Sequence, residues 1–497
     1  AQAIFGSSFT PSPEGGRPRT AFGQSDGFVA AAGPKASPTA MAAVASSGPA
    51  APVGLPGPAS SSSSAPAGCA AQSPAPAASS SSSPARPTGA EVGEGLCKAV
   101  LTPEFFERHW ERYPLHYRAA EHGPEGNRLP EALTVDGLAS IIRSSGSSLK
   151  MFRRGESYDL DNFLIGYLDG ASLIVNQADR HHPVIFELCR CLAERHFHHV
   201  FAVVYLTPPG SQAVRLHNDD QDVFLMQVWG NKCWTIRDAP RLLPYTEEML
   251  GKESPVPEEL ISNPFMEFTM EPHDVLYIPR GFLHEAATGD DASSLHITVT
   301  VPTSDYCWGV QLMKHLMTRV HNRDFPKPLH GLCRSSLSAI GKGGSQSLSS
   351  EELDGQIQEM VRTWLSDLSV DSVLDAFEHR MARTNEGQER AVAQIMEQPM
   401  RPSVTESCRV RLMFGVSCWC EPDGDLAVFT RAADSQHLEM PITRPLSSLI
   451  RSLTNRPQWV TDLPCADAFQ RICLLQLLHQ QGVVQLFLVG PDERTLP

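Results

Sequence analysis

Glu271-Pro272-His273-Asp274-Val275-Leu276-Tyr277-Ile278-Pro279-Arg280-Gly281-Phe282-Leu283-His284 is the stretch on which the fold turns. It reads as a turn, a short apolar strand, a tight Pro-Arg-Gly loop and then a histidine. Such a loop delivers His284 to the mouth of a barrel; the alternative is a hairpin whose last histidine caps a strand. Upstream, His217-Asn218-Asp219 is the only His-x-Asp triplet in the chain. In a strand, residues i and i+2 point to the same side, so both side chains face one interior. A second histidine from a later strand of the same barrel completes two imidazoles and one carboxylate on one face of an octahedron. That donor set suits Fe(II), because three positions stay open, and no sulfur ligand lies nearby to favour zinc or copper. Alone the triplet is a weak signal, since a chain with 18 histidines readily carries one by chance. Its other reading is a surface strand end with both side chains in water.

Around these motifs the pattern is one of short strands. An apolar run at 200–206 closes at Pro208-Pro209-Gly210, and further strands are expected at 222–228, 232–237, 265–270, 275–278 and 295–301. Tight turns such as Trp229-Gly230-Asn231 separate some of them, which suggests a barrel or sandwich. Ahead of them, Thr102 and Pro103 open a helix over 102–110 as cap and first helical residue. Helices are also expected at 131–145 and 184–195. After Trp308 the pattern is helical through residue 395, with Leu312, Leu316 and Val320 about one turn apart, as core or as a dimer seam. From Arg409, alternating stretches at 410–416 and 426–430 precede helical stretches at 446–453 and 465–480. A strand at 483–488 completes a small winged-helix-like unit.

Composition bounds the rest. Residues 1–98 are Ala, Ser, Pro and Gly with few large apolar side chains, so they are expected to be disordered, with order starting near Leu101. The net charge of −15 argues against coating nucleic acid or an anionic membrane. It fits docking onto basic partners, or plain solubility. More acids than bases in the C-terminal unit weigh against direct nucleic-acid binding. No apolar run approaches the roughly 18 residues that span a bilayer, and neither an initiator Met nor a secretory h-region is visible. The 12 cysteines are scattered; Cys189/Cys191 and Cys418/Cys420 read as small core residues, because zinc sites bring paired clusters. Free thiols suggest a reducing compartment, cytosol or nucleus. His196, His198 and His199 lack a convincing further ligand and read as a partly exposed helix end. Arg153-Arg154 is too short for an import signal or a nucleic-acid patch.

Tyr205-Leu206-Thr207-Pro208-Pro209-Gly210-Ser211-Gln212, with His217-Asn218-Asp219-Asp220 and Leu276 through His284, closely resembles the JmjC ribosomal oxygenases. The resemblance runs from about Thr102 to the C-terminus. It implies a mainly β catalytic core, a double-stranded β-helix of the JmjC/cupin type flanked by helices, over 99–310. A helical dimerisation region over 311–400 and a winged-helix-like α+β module over 401–497 follow. It implies Fe(II) held by His217, Asp219 and His284, with 2-oxoglutarate as co-substrate near Lys232, Thr300 and Tyr205. Lys232 matches a lysine that pairs with the distal carboxylate; a cation at the end of a pocket fixes a dicarboxylate whose other end chelates iron. The alternative is a turn lysine in solvent. Thr300 stands where the family has serine, on the polar side of a strand whose Leu295, Ile297 and Val299 face the other way; Tyr205 lines the pocket. For all three a structural hydrogen bond is the alternative role.

The implied activity is oxidation of a protein side chain: histidine hydroxylation in a ribosomal protein first, histone lysine demethylation second. A non-catalytic cupin-like scaffold is the reading from a different class. The resemblance also implies a homodimer and a nuclear or nucleolar address. Three positions depart from the family. Asn218 replaces a tyrosine, Val203 an asparagine and His273 a glycine, and the first two are expected to alter the pocket. Asp220 faces the opening or is a loop acid.

Overall fold

The computed structural model describes residues 85–160, 162–290, 292–321, 350–366, 368–398, 402–420, 425–432 and 436–488. The expectation for residues 1–84 therefore lies outside the described residues. Within 85–98 it is corrected: Gly89–Ala99 is a helix. Thr88 caps it reciprocally with Glu91, and Val92 and Leu96 are buried on one face. Glycines that look like low-complexity sequence are here close-packing contacts. A Cβ on Gly89 would come within 1.9 Å of Val184 O, and one on Gly93 within 2.7 Å of Cys191 Cβ, both on the helix Pro183–Leu192.

The core is built from eleven strands: β1 Leu115–Tyr117, β2 Leu149–Arg153, β3 Glu156–Ser157, β4 Ser172–Val175, β5 Phe201–Thr207, β6 Asp222–Trp229, β7 Lys232–Arg237, β8 Pro264–Met270, β9 Val275–Ile278, β10 Leu283–Ala287 and β11 Ser294–Val301. Eight form one sheet in the order β1-β9-β6-β11-β5-β4-β2-β3, and three form a second in the order β10-β7-β8. Period-two alternation assigns the faces. Val223 and Leu225 of β6 and Leu276 and Ile278 of β9 meet Trp234, Ile236 and Met270 of the small sheet. The other face of the same strands, with Phe224, Met226 and Tyr277, joins Leu295, Ile297 and Val299 of β11 beneath the N-terminal helices. The large sheet is thus covered on both sides, one by helices and one by a second sheet. This is the double-stranded β-helix, with flanking helices, that the resemblance implied.

One detail places the later part of the site. The loop between β9 and β10 turns at Gly281 (φ +95), where a Cβ would meet Arg241 O at 2.5 Å. His273, at the turn before β9, takes φ +75 and its Nδ1 donates to Asn127 O at 2.9 Å, which anchors a backbone conformation that favours glycine.

Helices Trp308–His321, Ser350–Leu365 and Val370–Glu397 follow the barrel. The last is tied to it by Gln388, whose amide donates to the buried Asp179 carboxylate (2.8 Å) and to Val200 O (2.9 Å). C-terminal strands β12 Arg409–Leu412, β13 Val416–Cys420, β14 Leu426–Arg431, β15 Gln436–Pro441, β16 Gln458–Trp459 and β17 Val484–Phe487 form two three-stranded sheets. They alternate with helices Arg444–Ser452 and Ala468–Gln480. This part packs on the barrel side through Tyr167, which meets Phe469 edge-on at 5.0 Å and donates to Asp467 at 3.1 Å. No helix among the described residues is long and apolar enough to cross a membrane.

Candidate metal centre

His217 and His284 are brought side by side by the backbone. His217 N–H donates to His284 O at 3.1 Å and His284 N–H to His217 O at 2.8 Å, a reciprocal antiparallel bridge. Each ring is then fixed by a carbonyl two residues back: His217 Nδ1 lies 2.8 Å from Arg215 O and His284 Nδ1 3.0 Å from Phe282 O. A carbonyl only accepts, so both Nδ1 atoms carry hydrogen and both Nε2 lone pairs are free to ligate. Those Nε2 atoms converge on Asp219, at 3.8 Å from Oδ1 for His217 and 3.5 Å from Oδ2 for His284. One ligand atom from each of the three side chains lies within 4.8 Å of the others.

The electrostatics suit a cation. Burial holds the His217 imidazole well below its ordinary pKa, with Lys252 and His284 adding to the effect. Burial pushes the Asp219 carboxyl up, but Lys252 and the two histidines outweigh it and hold the group well below the usual carboxylate range. A neutral His217 imidazole and an ionised Asp219 carboxylate are protonation states that metal binding needs. Two nitrogens and one oxygen fit a divalent metal with coordination positions left open.

The cavity at this cluster is lined also by Lys232, which the fold buries (2% exposed) against Thr207 Oγ1 at 3.1 Å. Burial pushes its ammonium down to about 7. Tyr205, His296 and Trp234 form the walls: Tyr205 stacks on His296 at 4.9 Å, and Trp234 meets His296 edge-on at 5.7 Å. Three polar atoms of these lining side chains, Trp234 Nε1, His296 Nδ1 and Thr298 Oγ1, lack a hydrogen-bond partner. A buried cation beside unpartnered polar atoms is costly unless a ligand completes it, and an anion with several acceptor oxygens does so. The residues present therefore fit a small carboxylate.

Tyr205 and Lys232, expected from the sequence, both line this cavity. Thr300 does not; it lies one pleat further along β11, and Thr298 takes the lining position. Asn218 does not open the pocket either. It is fully buried, its Oδ1 accepting from Leu250 N–H at 2.6 Å and its Nδ2 donating to Gly281 O at 3.3 Å, so it stitches the loops around the two histidines. Asp220 is a structural acid that accepts from Thr246 Oγ1 (2.6 Å) and Ser304 Oγ (3.1 Å). His196, His198 and His199 diverge, toward Phe106, Phe377 and Asn385. The sequence put His296 and Thr298 on the inward face of β11 without a role, and gave none to Thr207, Trp234 or Lys252. The polar alternation of β11 and the Lys-Cys-Trp spacing of β7 carried a signal for His296, Thr298 and Trp234; nothing near Lys252 did. A roomier cavity, about 770 Å³, lies between the barrel and the C-terminal part; of its lining groups Arg153 pairs with Asp169 and Asp467 accepts from Tyr167.

Residues 176–307 match the JmjC domain, which accords with a β-helix carrying this cluster. Over that domain and beyond it the chain is similar to ribosomal oxygenases and to proteins named as demethylase and histidyl-hydroxylase. It is 32% identical to the Drosophila mojavensis bifunctional lysine-specific demethylase and histidyl-hydroxylase NO66 over 59% of its own length, and spans 35% of that protein. It is 25% identical to ribosomal oxygenase 1 of Gallus gallus over 80% of its length and 72% of the relative. Among solved structures, the Escherichia coli ribosomal oxygenase YcfD matches 78% of this chain and 98% of that one at 18% identity and a TM-score of 0.35. That superposition adds nothing to the fold already described.

Proposed function

We propose that the chain is an Fe(II)- and 2-oxoglutarate-dependent oxygenase that hydroxylates a protein side chain, with a histidine of a ribosomal protein as the first choice. One observation carries this: a single cavity holds a two-histidine, one-carboxylate cluster at one end and a buried lysine beside unpartnered polar atoms at the other. His217, Asp219 and His284 would hold the metal, and Lys232 with Thr298 and Tyr205 the 2-oxo dicarboxylate. Together the bound pair supplies the oxidising chemistry. The chain's own residues orient and exclude. The Arg215 and Phe282 carbonyls fix the histidine tautomers, Lys232 and Thr207 anchor the distal carboxylate, and the Tyr205, His296 and Trp234 rings keep water from the closed end.

Support for a protein substrate comes from the relatives' names, which specify histidyl hydroxylation and lysine demethylation. Histone lysine demethylation is therefore the second reading, by the same centre acting on a methyl group. The test is incubation of the full chain with Fe(II), 2-oxoglutarate and two peptide sets, one of histidine-containing ribosomal segments and one of methylated histone tails. A mass gain of one oxygen on a histidine supports the first reading; formaldehyde release from the methylated set supports the second. Turnover of neither, with no retention of metal, supports a binding scaffold. The homodimer is proposed with it, through the helix Trp308–His321, where Trp308, Met313 and Met317 are exposed, and sedimentation checks it. The nuclear address is likewise a proposal, checked by imaging a tagged chain.

A further inference from the structure

Lys252 stands in none of the motifs, yet its ammonium lies 2.6 Å from Asp219 Oδ1. The loop that carries it is held flat against the triplet. Asn218 binds Leu250 from both sides, side chain to N–H at 2.6 Å and backbone N–H to the carbonyl at 3.1 Å. Gly251 follows at φ +82, and a Cβ there would come within 2.2 Å of Leu216 O and 2.6 Å of His217 Cα. Only a glycine lets the backbone pass this close, and the next residue is then delivered to the carboxylate.

Exposure shows where the cavity opens. Lys232 is 2% exposed; the side chains of His284, His217 and Asp219 are 6%, 9% and 22% exposed, and that of Lys252 is 37%. The more exposed side of the cavity is that of Asp219, the carboxylate to which Lys252 is paired. The acids nearby are already partnered. Asp219 is engaged by Lys252 itself, Asp220 by Thr246 and Ser304, and Glu285 is turned toward Arg237 at 3.6 Å. A metal on the cluster would add charge of the same sign as the ammonium.

We propose that Lys252 is a specificity-determining residue, a charge filter at the mouth of the candidate centre that admits an uncharged side chain and disfavours a cationic one such as a methylated ammonium. The inference rests on the metal centre proposed above and names its substrate class. Like charges about 5 Å apart in a partly screened site lower occupancy on the order of 10- to 100-fold.

The test separates charge from shape. Two peptide pools with randomised flanks are compared, one with a central Nε-trimethyllysine and one with its neutral tert-butyl carbon isostere. Binding to the Mn(II)-loaded full chain is read as paramagnetic broadening of the nine-proton methyl singlet. Wild type is expected to favour the neutral pool by roughly tenfold or more. Lys252→Met should bring the ratio near unity, and Lys252→Arg should keep it. Equal broadening of both pools by wild type, no broadening of the neutral pool, or an unchanged ratio in Lys252→Met overturns the filter. Mn(II) binding, followed by electron paramagnetic resonance and compared with His217→Ala, is the control on the centre. Failure of wild type to bind Mn(II) sinks the metal centre and the filter with it, whereas bound metal with a flat ratio sinks the filter alone.

Discussion

At the open end of the cavity both imidazoles are locked by carbonyls and by the reciprocal bridge between His217 and His284, whereas at the closed end Lys232 has the Thr207 hydroxyl. The same sheets make both ends, so the difference does not come from poor packing. The open end gathers its ligands through backbone hydrogen bonds that form whenever the barrel forms. The closed end buries a cation and leaves polar atoms of Trp234, His296 and Thr298 without partners, a cost that folding alone does not recover. An arriving carboxylate would recover it. On the proposed reading one end is preorganised for metal by folding and the other would be completed by the anion.

Removing the unrecovered charge is the strongest way to break the contrast. Lys232→Met is expected to weaken 2-oxoglutarate binding by roughly 100-fold or more, because a charge-assisted contact in a buried site is lost. It should also raise the melting temperature of the ligand-free protein, since the buried cation goes with it. Calorimetric titration and thermal melts read the two halves, and a loss of stability would contradict the poised closed end. Mn(II) affinity should stay close to wild type.

A pH series sharpens the same point. Burial pushes the Lys232 ammonium down to about 7 from an ordinary 10.5. Between those values the unfolded chain keeps a proton that the folded site has released, so unfolding free energy rises with pH. The cost is full below about pH 7 and gone above the unfolded value. Measured against Lys232→Met, wild type should gain up to about 1.4 kcal/mol per pH unit across that window. Denaturant melts at several pH values check the slope. A saturating 2-oxoglutarate concentration should flatten it by keeping the ammonium charged.

The open end is tested by loosening what holds it. Asn218→Ala removes the ties to Leu250 and Gly281 and is expected to cost about 1–3 kcal/mol of stability. Metal affinity should fall roughly 10- to 100-fold as the loops around the histidines relax. Smallest of all, Thr88→Ala removes a helix cap far from the cavity and should cost about 1 kcal/mol with metal affinity unchanged. If it moved metal binding, the separation of site and scaffold drawn here would be wrong.

These regions also differ in how far the sequence spoke for them. The strands of the barrel were legible from period-two alternation; His217 and Asp219, expected on a strand, lie instead in the loop between β5 and β6, where an isolated bridge pairs His217 with His284. Strand phase put Thr298 and Thr300 on one side of β11. Which of the two lies at cavity depth depends on how the two sheets are offset, and alternation does not record that. Lys252 was invisible for a related reason: a loop between β7 and β8 has no period, and only Gly251 against His217 brings it home. The helix Gly89–Ala99 was hidden by its own packing, since the glycines that let it approach Pro183–Leu192 resemble low-complexity sequence.

The central claim is most directly tested by oxygen-dependent succinate release after anaerobic loading with Fe(II) and 2-oxoglutarate, comparing wild type with His217→Ala. Wild type is expected to bind both and release succinate when oxygen is admitted, and the variant to do neither measurably. Wild-type protein that holds no Fe(II) and releases no succinate would contradict it.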